Sequence, residues 1–270
     1  MEINKLNCGC GSIICKSSYS THITTSKHKK FIKSQVAQLD DKTAISPPPK
    51  KSKTDQQPLS LNTPTLKLFI ARRGSGKSHL MKSILHTCMK QKRFEWVYVF
   101  SLTAFNKEWS NVVGPKNVCA DFSPTWITSL MKAQSKLVEK GKIRPGLIIF
   151  DDMVGTAKWK DPVITQLAIA SRHYHITVWI SSQYYTSLPP LIRQNADYCF
   201  LLSTINETVS KKLAEEFPTS QYPKWQDLMA FAEEATQDHG VFFINIIGNV
   251  KITQYRAPAK LEPFTIKHKR

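Results

Sequence analysis

The stretch Ala71-Arg72-Arg73-Gly74-Ser75-Gly76-Lys77-Ser78 decides the fold. It matches the phosphate-loop pattern G-x-x-x-x-G-K-[ST], with Ala in place of the first Gly. An apolar run that predicts a strand, Leu66–Ile70, precedes it, and a stretch that predicts a helix, Lys77–Lys90, follows it. Because Ala does not take positive φ freely, we expect the entry of the loop to be extended.

The chemistry of such a loop is the binding of phosphate. Glycines let backbone N–H groups turn inward, and the helix N-terminus adds a partial positive charge. In this pattern the lysine reaches the β- and γ-phosphates of ATP and the final hydroxyl ligates Mg²⁺, which predicts these roles for Lys77 and Ser78. The predicted nucleotide-binding residues are Arg73, Gly74, Ser75, Gly76, Lys77, Ser78 and His79. A Gly-rich turn that only ends a strand is the alternative for this pattern.

A second motif is an apolar strand that ends in two acids, Gly146-Leu147-Ile148-Ile149-Phe150-Asp151-Asp152. After a phosphate loop, a buried strand of this kind delivers a carboxylate to the Mg²⁺ shell. We therefore predict that Asp151 binds Mg²⁺ through water and that Asp152 is the general base for the attacking water. Two adjacent carboxylates repel each other unless a cation lies between them.

A third motif is the apolar run Ile176–Ser181, which leads to the amide of Gln183. An amide at the end of a central strand can orient water or sense the γ-phosphate. Taken alone, the same pattern fits a strand that enters a polar turn.

Strands alternate with helices over the rest of the chain, which predicts an α/β fold with a mostly parallel sheet covered on both faces. Further strands are expected at Trp96–Ser101 and Tyr198–Leu202, and a terminal hairpin at Val241–Ile247 and Lys251–Tyr255. Pro124 and Pro162, each after a capping residue, predict helix starts, and the second of these helices is expected to run to about Tyr174.

Composition narrows the class of protein. The 270 residues carry a net charge of +18, and 41% are hydrophobic, which excludes wholesale disorder and favours a polyanionic partner. Residues 1–60 contribute +6, so the basic character extends into the remainder. No apolar run approaches the roughly 18 residues of a membrane span. The six cysteines do not form a disulfide framework and suit a reducing compartment.

The chain divides by composition into a basic module at residues 1–36, a polar linker at 37–64 and a catalytic domain at 65–270. In the first module Cys8, Cys10, His22 and His28 have the spacing C-x-C-x₁₁-H-x₅-H. Two thiolates and two imidazoles suit a closed tetrahedral Zn²⁺ site, so we predict a zinc-finger-like module. Cys15 is an alternative ligand, and a disordered basic tail is the alternative for the segment.

The succession RRGSGKS, LIIFDD, SRHYHITVWISSQ and PPLIRQNADYCFLL resembles the FtsK/HerA superfamily. The strongest likeness is to its viral genome-packaging ATPases of poxviruses, giant viruses and virophages, and it covers about residues 65–257. The resemblance implies a RecA-like core of the P-loop NTPase class, a homo-oligomeric ring and hydrolysis of ATP with Mg²⁺. It also implies movement of double-stranded DNA into a capsid, and hence a capsid or portal-vertex protein as a partner.

The resemblance further implies an arginine that acts on the neighbouring subunit's nucleotide. Arg172 matches that position and Arg193 is the second candidate. Asp152 departs from the family pattern, because many relatives carry the longer Glu there.

The resemblance also implies a location, which is the viral factory in the host cytoplasm or the virion. The basic run at residues 49–53 resembles a nuclear localisation signal.

Two other classes of function stay open from the residues. A helicase or replication-associated P-loop ATPase needs additional helices or an origin-binding domain, for which the chain has little room. A non-hydrolysing nucleic-acid-binding module would not need Lys77, Ser78, Asp151 and Asp152 intact.

Overall fold

The computed structural model describes residues 5–7, 13–15, 64–203 and 205–266. The chain divides into two units, Met1–Asp55 and Gln56–Arg270. In the first unit, strands β1 (Lys5–Asn7) and β2 (Ile13–Cys15) pair antiparallel.

The four residues predicted to bind zinc, Cys8, Cys10, His22 and His28, lie outside the described residues, as does most of the predicted linker. Within the described ranges, no group of three or more His, Cys, Asp or Glu side chains is arranged to hold a metal ion. The zinc-finger-like module therefore stays a prediction.

In the described part of the second unit, eight strands form one sheet in the order β10-β9-β8-β3-β7-β6-β4-β5. Strands β3 to β8 run parallel to one another, whereas β9 pairs antiparallel with β8 and with β10. The strands are β3 (Leu66–Ala71), β4 (Trp96–Ser101), β5 (Val118–Cys119), β6 (Gly146–Asp151), β7 (Ile176–Ser182), β8 (Tyr198–Leu202), β9 (Val241–Asn245) and β10 (Lys251–Tyr255). The prediction of a mostly parallel α/β sheet is confirmed.

The helices of the described residues begin and end at positions that the sequence explains. They are α1 (Lys77–Lys90), α2 (Ser110–Val113), α3 (Pro124–Glu139), α4 (Pro162–Ala170), α5 (Pro190–Gln194), α6 (Glu207–Glu216) and α7 (Trp225–Ala235). Ser123 and Asp161 cap α3 and α4 by accepting hydrogen bonds from backbone N–H groups, and Pro follows each of them. None of the helices in the described ranges is long and apolar enough to cross a membrane.

The alternation of side chains along the central strands builds a core on each face of the sheet. In β3, Leu68 and Ile70 belong to one buried cluster and Phe69 and Ala71 to the other. The first cluster includes side chains of α3, α4, α6 and α7, and the second includes those of α1 and α2. Both faces of the sheet are thus buried, as a parallel sheet requires.

The segment that follows β10 belongs to the second cluster. His79 Nε2 lies 2.7 Å from the carbonyl oxygen of Pro258, and the rings of His86 and Phe264 stack with centroids 4.6 Å apart. The N–H of Ile266 donates to the carbonyl of Val112 at 2.7 Å. This segment therefore joins α1 to α2.

The helix predicted to reach Tyr174 is shorter than expected. Its α-helical part ends at Ala170, and residues Ser171–Tyr174 continue as one 3₁₀ turn. His175 then adopts a left-handed φ of 52°, which turns the chain into β7. The short elements α2 and β5 were not predicted. Segments of four and two residues are too short to show a periodic pattern of apolar side chains.

Candidate nucleotide-binding site

Three neighbouring parallel strands deliver the predicted site residues to one edge of the sheet. The phosphate loop follows β3, Asp151 ends β6 and Gln183 follows β7, which lies between the other two strands. Ile70 pairs with Ser182 and Phe150 pairs with Ile180, so the three strands end at the same level. This carboxyl edge is where open α/β sheets bind their ligands.

The phosphate loop owes its shape to two glycines. Gly74 and Gly76 have φ of 78° and 91°, and an added Cβ would meet no atom within 4 Å at either position. The left-handed backbone, and not lack of space, is therefore what favours glycine there. Ala71 is the last residue of β3. The entry of the loop is therefore extended, as predicted from the difficulty that alanine has in adopting a positive φ.

The start of α1 is open to an anion. Gly76 precedes the helix without a side-chain cap, and no acidic residue lies in the first turn. The first N–H groups of a helix have no partner within the helix, and they attract negative charge together with the helix dipole. The loop and the 14-residue helix α1 thus form a site suited to phosphate.

Lys77 is buried, with 7% of its surface exposed, and its ammonium group pairs with the carboxylate of Asp152. Asp152 has a left-handed φ of 54°, and its N–H donates to Ser181 Oγ at 2.9 Å. A positive φ in a non-glycine residue at a binding site is a strained arrangement that the surrounding contacts must hold. A phosphate in the loop would compete with Asp152 for Lys77.

Asp151 differs from its neighbour, because both of its oxygens accept from uncharged donors. Trp109 Nε1 donates to Oδ2 at 2.8 Å, and Ser181 Oγ donates to Oδ1 at 2.7 Å. The residue is 5% exposed and forms no ion pair with the described part of the chain. A buried carboxylate without a cationic partner fits a divalent metal ion, so the donor set is compatible with Mg²⁺. Ser78, half-buried at the start of α1, is the second predicted ligand.

Gln183 is exposed one residue beyond β7, next to the end of β3 where the loop begins. The structure thus brings the predicted polar amide to the same edge as the loop and the acids. His79, predicted as a nucleotide-binding residue, instead directs its ring nitrogen to Pro258.

The two candidate arginines lie in opposite environments. Arg172 lies in the 3₁₀ turn before β7, with 56% of its side chain exposed, and its Nη2 is 3.6 Å from Asp197 Oδ1. Arg172 therefore belongs to the amino edge of the sheet. The seven residues of β7 separate it from the carboxyl edge, a distance of about 20 Å at the usual rise per residue.

Arg193 is buried and serves the fold. Its Nε donates to both oxygens of Glu216 at 3.1 Å, its Nη1 donates to the carbonyl of Leu188, and its guanidinium lies over the ring of Tyr185. The hydrogen bonds that Arg193 donates to Glu216 raise the pKa of Arg193. Only 3% of Arg193 is exposed, and its guanidinium joins α5 to α6.

The sequence interpretation missed two residues of this site, Trp109 and Ser181. Ser181 lies in a predicted strand, but it is followed directly by a second serine, Ser182. The sequence does not indicate which of the two hydroxyls faces the acids. Trp109 lies just before α2, in a region without a predicted element. No pattern in the sequence connects it to Asp151.

The parallel sheet and the phosphate loop at this edge define a P-loop NTPase fold. The family model described as "Poxvirus A32 protein" matches residues 55–224, which is well over half of the chain. The chain therefore belongs to the poxvirus A32 protein family, and the resemblance inferred from the motifs is confirmed.

Viral proteins are among the relatives. An uncharacterised protein of Acanthamoeba polyphaga mimivirus is 24% identical over 190 residues, which are 66% of this chain and 66% of that protein. An uncharacterised protein of Invertebrate iridescent virus 6 is 24% identical over 185 residues, 66% of this chain and 69% of that one.

Among solved structures, the genome-packaging NTPase of Sulfolobus turreted icosahedral virus 2 in complex with ATP-γS has a similar fold. Its TM-score is 0.51 at 18% identity, over 73% of this chain and 100% of that one. The conjugation coupling protein TcpA gives a TM-score of 0.50 at 16% identity, over 74% of this chain and 61% of that one. At these identities the likeness concerns the fold alone.

Proposed function

We propose that the protein is an ATP-driven double-stranded DNA translocase that packages a viral genome into its capsid. The observation that carries the proposal is the convergence of Lys77, Asp151, Asp152 and Gln183 at one edge of a RecA-like sheet. Membership of the poxvirus A32 protein family and the likeness to a packaging NTPase solved with an ATP analogue support it. The work would be done in the viral factory or the virion.

The chemistry follows from the contacts of the acids. The γ-phosphate draws Lys77 away from Asp152, whose carboxylate is then free to accept a proton from the attacking water. Gln183 orients that water. Mg²⁺, when bound, neutralises charge on the β- and γ-phosphates, and Ser78 and Asp151 are the residues that would hold it.

A guanidinium from a second copy completes the site. Within one chain Arg172 lies at the opposite edge of the sheet, and its exposure leaves it free to reach a neighbour. A groove of about 540 Å³ on α4, lined by side chains that include Thr165 and Ile169, lies on the helix that leads into Arg172. The position of Arg172 fits a ring in which the amino edge of one subunit faces the phosphate loop of the next.

The net charge of +18 supports DNA as the partner. Binding that releases counterions from DNA weakens steeply as salt rises. We expect double-stranded DNA to stimulate hydrolysis, and the apparent DNA affinity to fall by orders of magnitude between about 50 and 200 mM salt. A flat salt dependence would contradict a channel that follows the phosphates.

Two substitutions test the catalytic assignment. Asp152→Asn is expected to bind nucleotide while kcat falls roughly 10²–10⁴-fold, the usual effect of losing a general base. Lys77→Ala is expected to lose nucleotide binding as well. Calorimetric binding of ATP-γS and a phosphate-release assay separate these two effects. Wild-type-like turnover in Asp152→Asn would refute its role as the base.

A further inference from the structure

Neither of the two side chains that donate hydrogen bonds to Asp151 was assigned a role by the sequence motifs. One is Trp109, which immediately precedes α2, and the other is Ser181, near the end of β7. Their hydrogen bonds to the carboxylate are 2.8 and 2.7 Å long, and both side chains are fully buried.

Ser181 connects the two acids. Its hydroxyl donates to Asp151 Oδ1 and accepts the N–H of Asp152, so one oxygen atom links the carboxylate of Asp151 to the backbone of Asp152. The second bond also holds Asp152 in its left-handed conformation. A hydroxyl has one donor and two acceptor positions, so this use is directional.

Trp109 fixes the other oxygen of Asp151 without neutralising its charge. An indole N–H is a donor only and carries no charge, whereas a Lys or Arg in its place would compete with a metal ion. A carboxylate has about four lone-pair positions, so the bonds from Trp109 and Ser181 leave about half of them for water bound to a metal. Lys82 Nζ lies over the indole ring at 5.6 Å and bonds to Glu108 at 2.8 Å, which holds the ring from its outer side.

We propose that Trp109 and Ser181 are positioning residues that orient Asp151 toward the metal ion of the metal–nucleotide complex. The proposal rests on the proposed function, since it assigns how the acid of that site is held. Outer partners of metal-binding groups commonly change metal affinity by about 10- to 100-fold when they are replaced.

The test compares two tryptophans that differ in one respect. Trp109→Phe keeps an aromatic ring and removes the N–H that Asp151 accepts. Trp179→Phe is the matched control, because Trp179 is also fully buried but its Nε1 has no hydrogen-bond partner among the described residues. Ser181→Ala removes the other bond to Asp151 together with the acceptor of the Asp152 N–H, so Mn²⁺ affinity, and not turnover, is the quantity that reports on Asp151 in this variant.

The measured quantity is the affinity of the full-length protein for Mn²⁺, followed by electron paramagnetic resonance in the presence of a non-hydrolysable ATP analogue. We expect Trp109→Phe and Ser181→Ala each to weaken Mn²⁺ binding about 10- to 100-fold, and Trp179→Phe to leave it unchanged. Binding of the analogue in EDTA should be equal in all four proteins, which excludes a general loss of structure. ATP hydrolysis by the two site variants should show a lower kcat with little change in KM.

Equal Mn²⁺ affinity in Trp109→Phe, Ser181→Ala and wild type would overturn the proposal, as would an equal loss in Trp179→Phe. If Trp109→Phe does not fold, the Mn²⁺ affinity of Ser181→Ala decides. Failure of the wild type to bind the analogue would instead refute the proposed function, so the two failures are distinguishable.

Discussion

Each edge of the central sheet has a buried lysine nearby, but the two lysines have different partners. At the carboxyl edge a buried lysine, Lys77, pairs with an acid beside an open helix start. Near the amino edge a second buried lysine, Lys67 of β3, donates to Thr65 Oγ1 and lies 4.9 Å from the centre of the Tyr198 ring. Burial lowers the pKa of Lys67 to about 8.

The two edges also differ in their arginines. Arg72 and Arg73 at the carboxyl edge belong to the phosphate loop, whereas Arg172 at the amino edge is exposed and only loosely paired with Asp197. If Arg172 acts on a neighbouring copy, as we propose, one chain carries the two halves of the hydrolytic site at opposite ends of its strands. Stacking the edges of successive copies would bring the halves together.

The largest expected effect comes from Arg172→Ala. We expect this variant to bind ATP and to hydrolyse it roughly 10³–10⁵-fold more slowly, the range for arginines that neutralise charge on the transferred phosphoryl group. Arg172→Lys should rescue little, because lysine lacks the planar fork. Steady-state phosphate release measures the effect.

Mixing inactive subunits tests whether Arg172 acts in trans. Lys77→Ala subunits keep the arginine and Arg172→Ala subunits keep the loop, so a mixture should regain part of the turnover. A wild type that is fully active as a monomer, with no recovery in the mixture, would show that the two edges do not cooperate.

Arg193→Ala is expected to affect folding more than hydrolysis. It leaves Glu216 buried without its partner, and breaking a buried ion pair by removing one side costs about 3–5 kcal/mol. The free energy of unfolding from urea titration measures this, with the exposed Arg172→Ala as the control that should change it little. If Arg193→Ala folds normally and instead gives the complementable loss of hydrolysis, the trans role moves to Arg193.

Lys67→Met tests the energetic cost of the buried lysine near the amino edge and leaves the residues of the nucleotide-binding site unchanged. Folding lowers the pKa of Lys67 from 10.5 to about 8, so between these values the unfolded chain binds the extra proton and stability rises with pH. Below about pH 8 the full cost of burying the charge is present. Methionine should therefore stabilise the protein by roughly 2–3 kcal/mol at neutral pH and abolish the rise. Urea unfolding at pH 7 and pH 9.5 would check this, and a destabilised Lys67→Met would show that the ammonium group is needed.

Asp197→Asn should have the smallest effect. The contact between Arg172 and Asp197 is long and half-exposed, and such pairs contribute about 0–1 kcal/mol. The amide oxygen can still accept the N–H of Leu66, which Asp197 accepts at 2.7 Å. We expect hydrolysis by the assembled protein to change less than about fivefold. A loss as large as that of Arg172→Ala would make Asp197 part of the trans contact.

The parts of the fold that sequence could predict are those with a repeating signal or a capping residue. The buried strands at Leu147–Phe150 and Tyr198–Leu202 are continuous apolar runs, and Pro162 after Asp161 marks a helix start within one residue. The loop and the acids were predictable because their chemistry demands particular residues at fixed spacing.

The rest depends on contacts between distant segments. Arg172 and Arg193 look alike in the sequence, since each lies near the end of a short helical stretch close to β7. Only the packing of α6, which delivers Glu216, separates a buried guanidinium from an exposed one. Trp109 likewise reaches Asp151 across 42 positions of chain that no period connects.

The segment after β10 has a practical meaning for anyone who trims or tags this protein. It contacts α1 at His79 and His86, and its Ile266 bonds to Val112 of α2, the helix that Trp109 immediately precedes. A fragment that stops at Tyr255 would contain every recognisable motif of the second unit and still lack the segment that joins α1 to α2, and with it part of the packing around Trp109. A shortened version that fails to bind nucleotide would therefore say nothing against the motifs themselves.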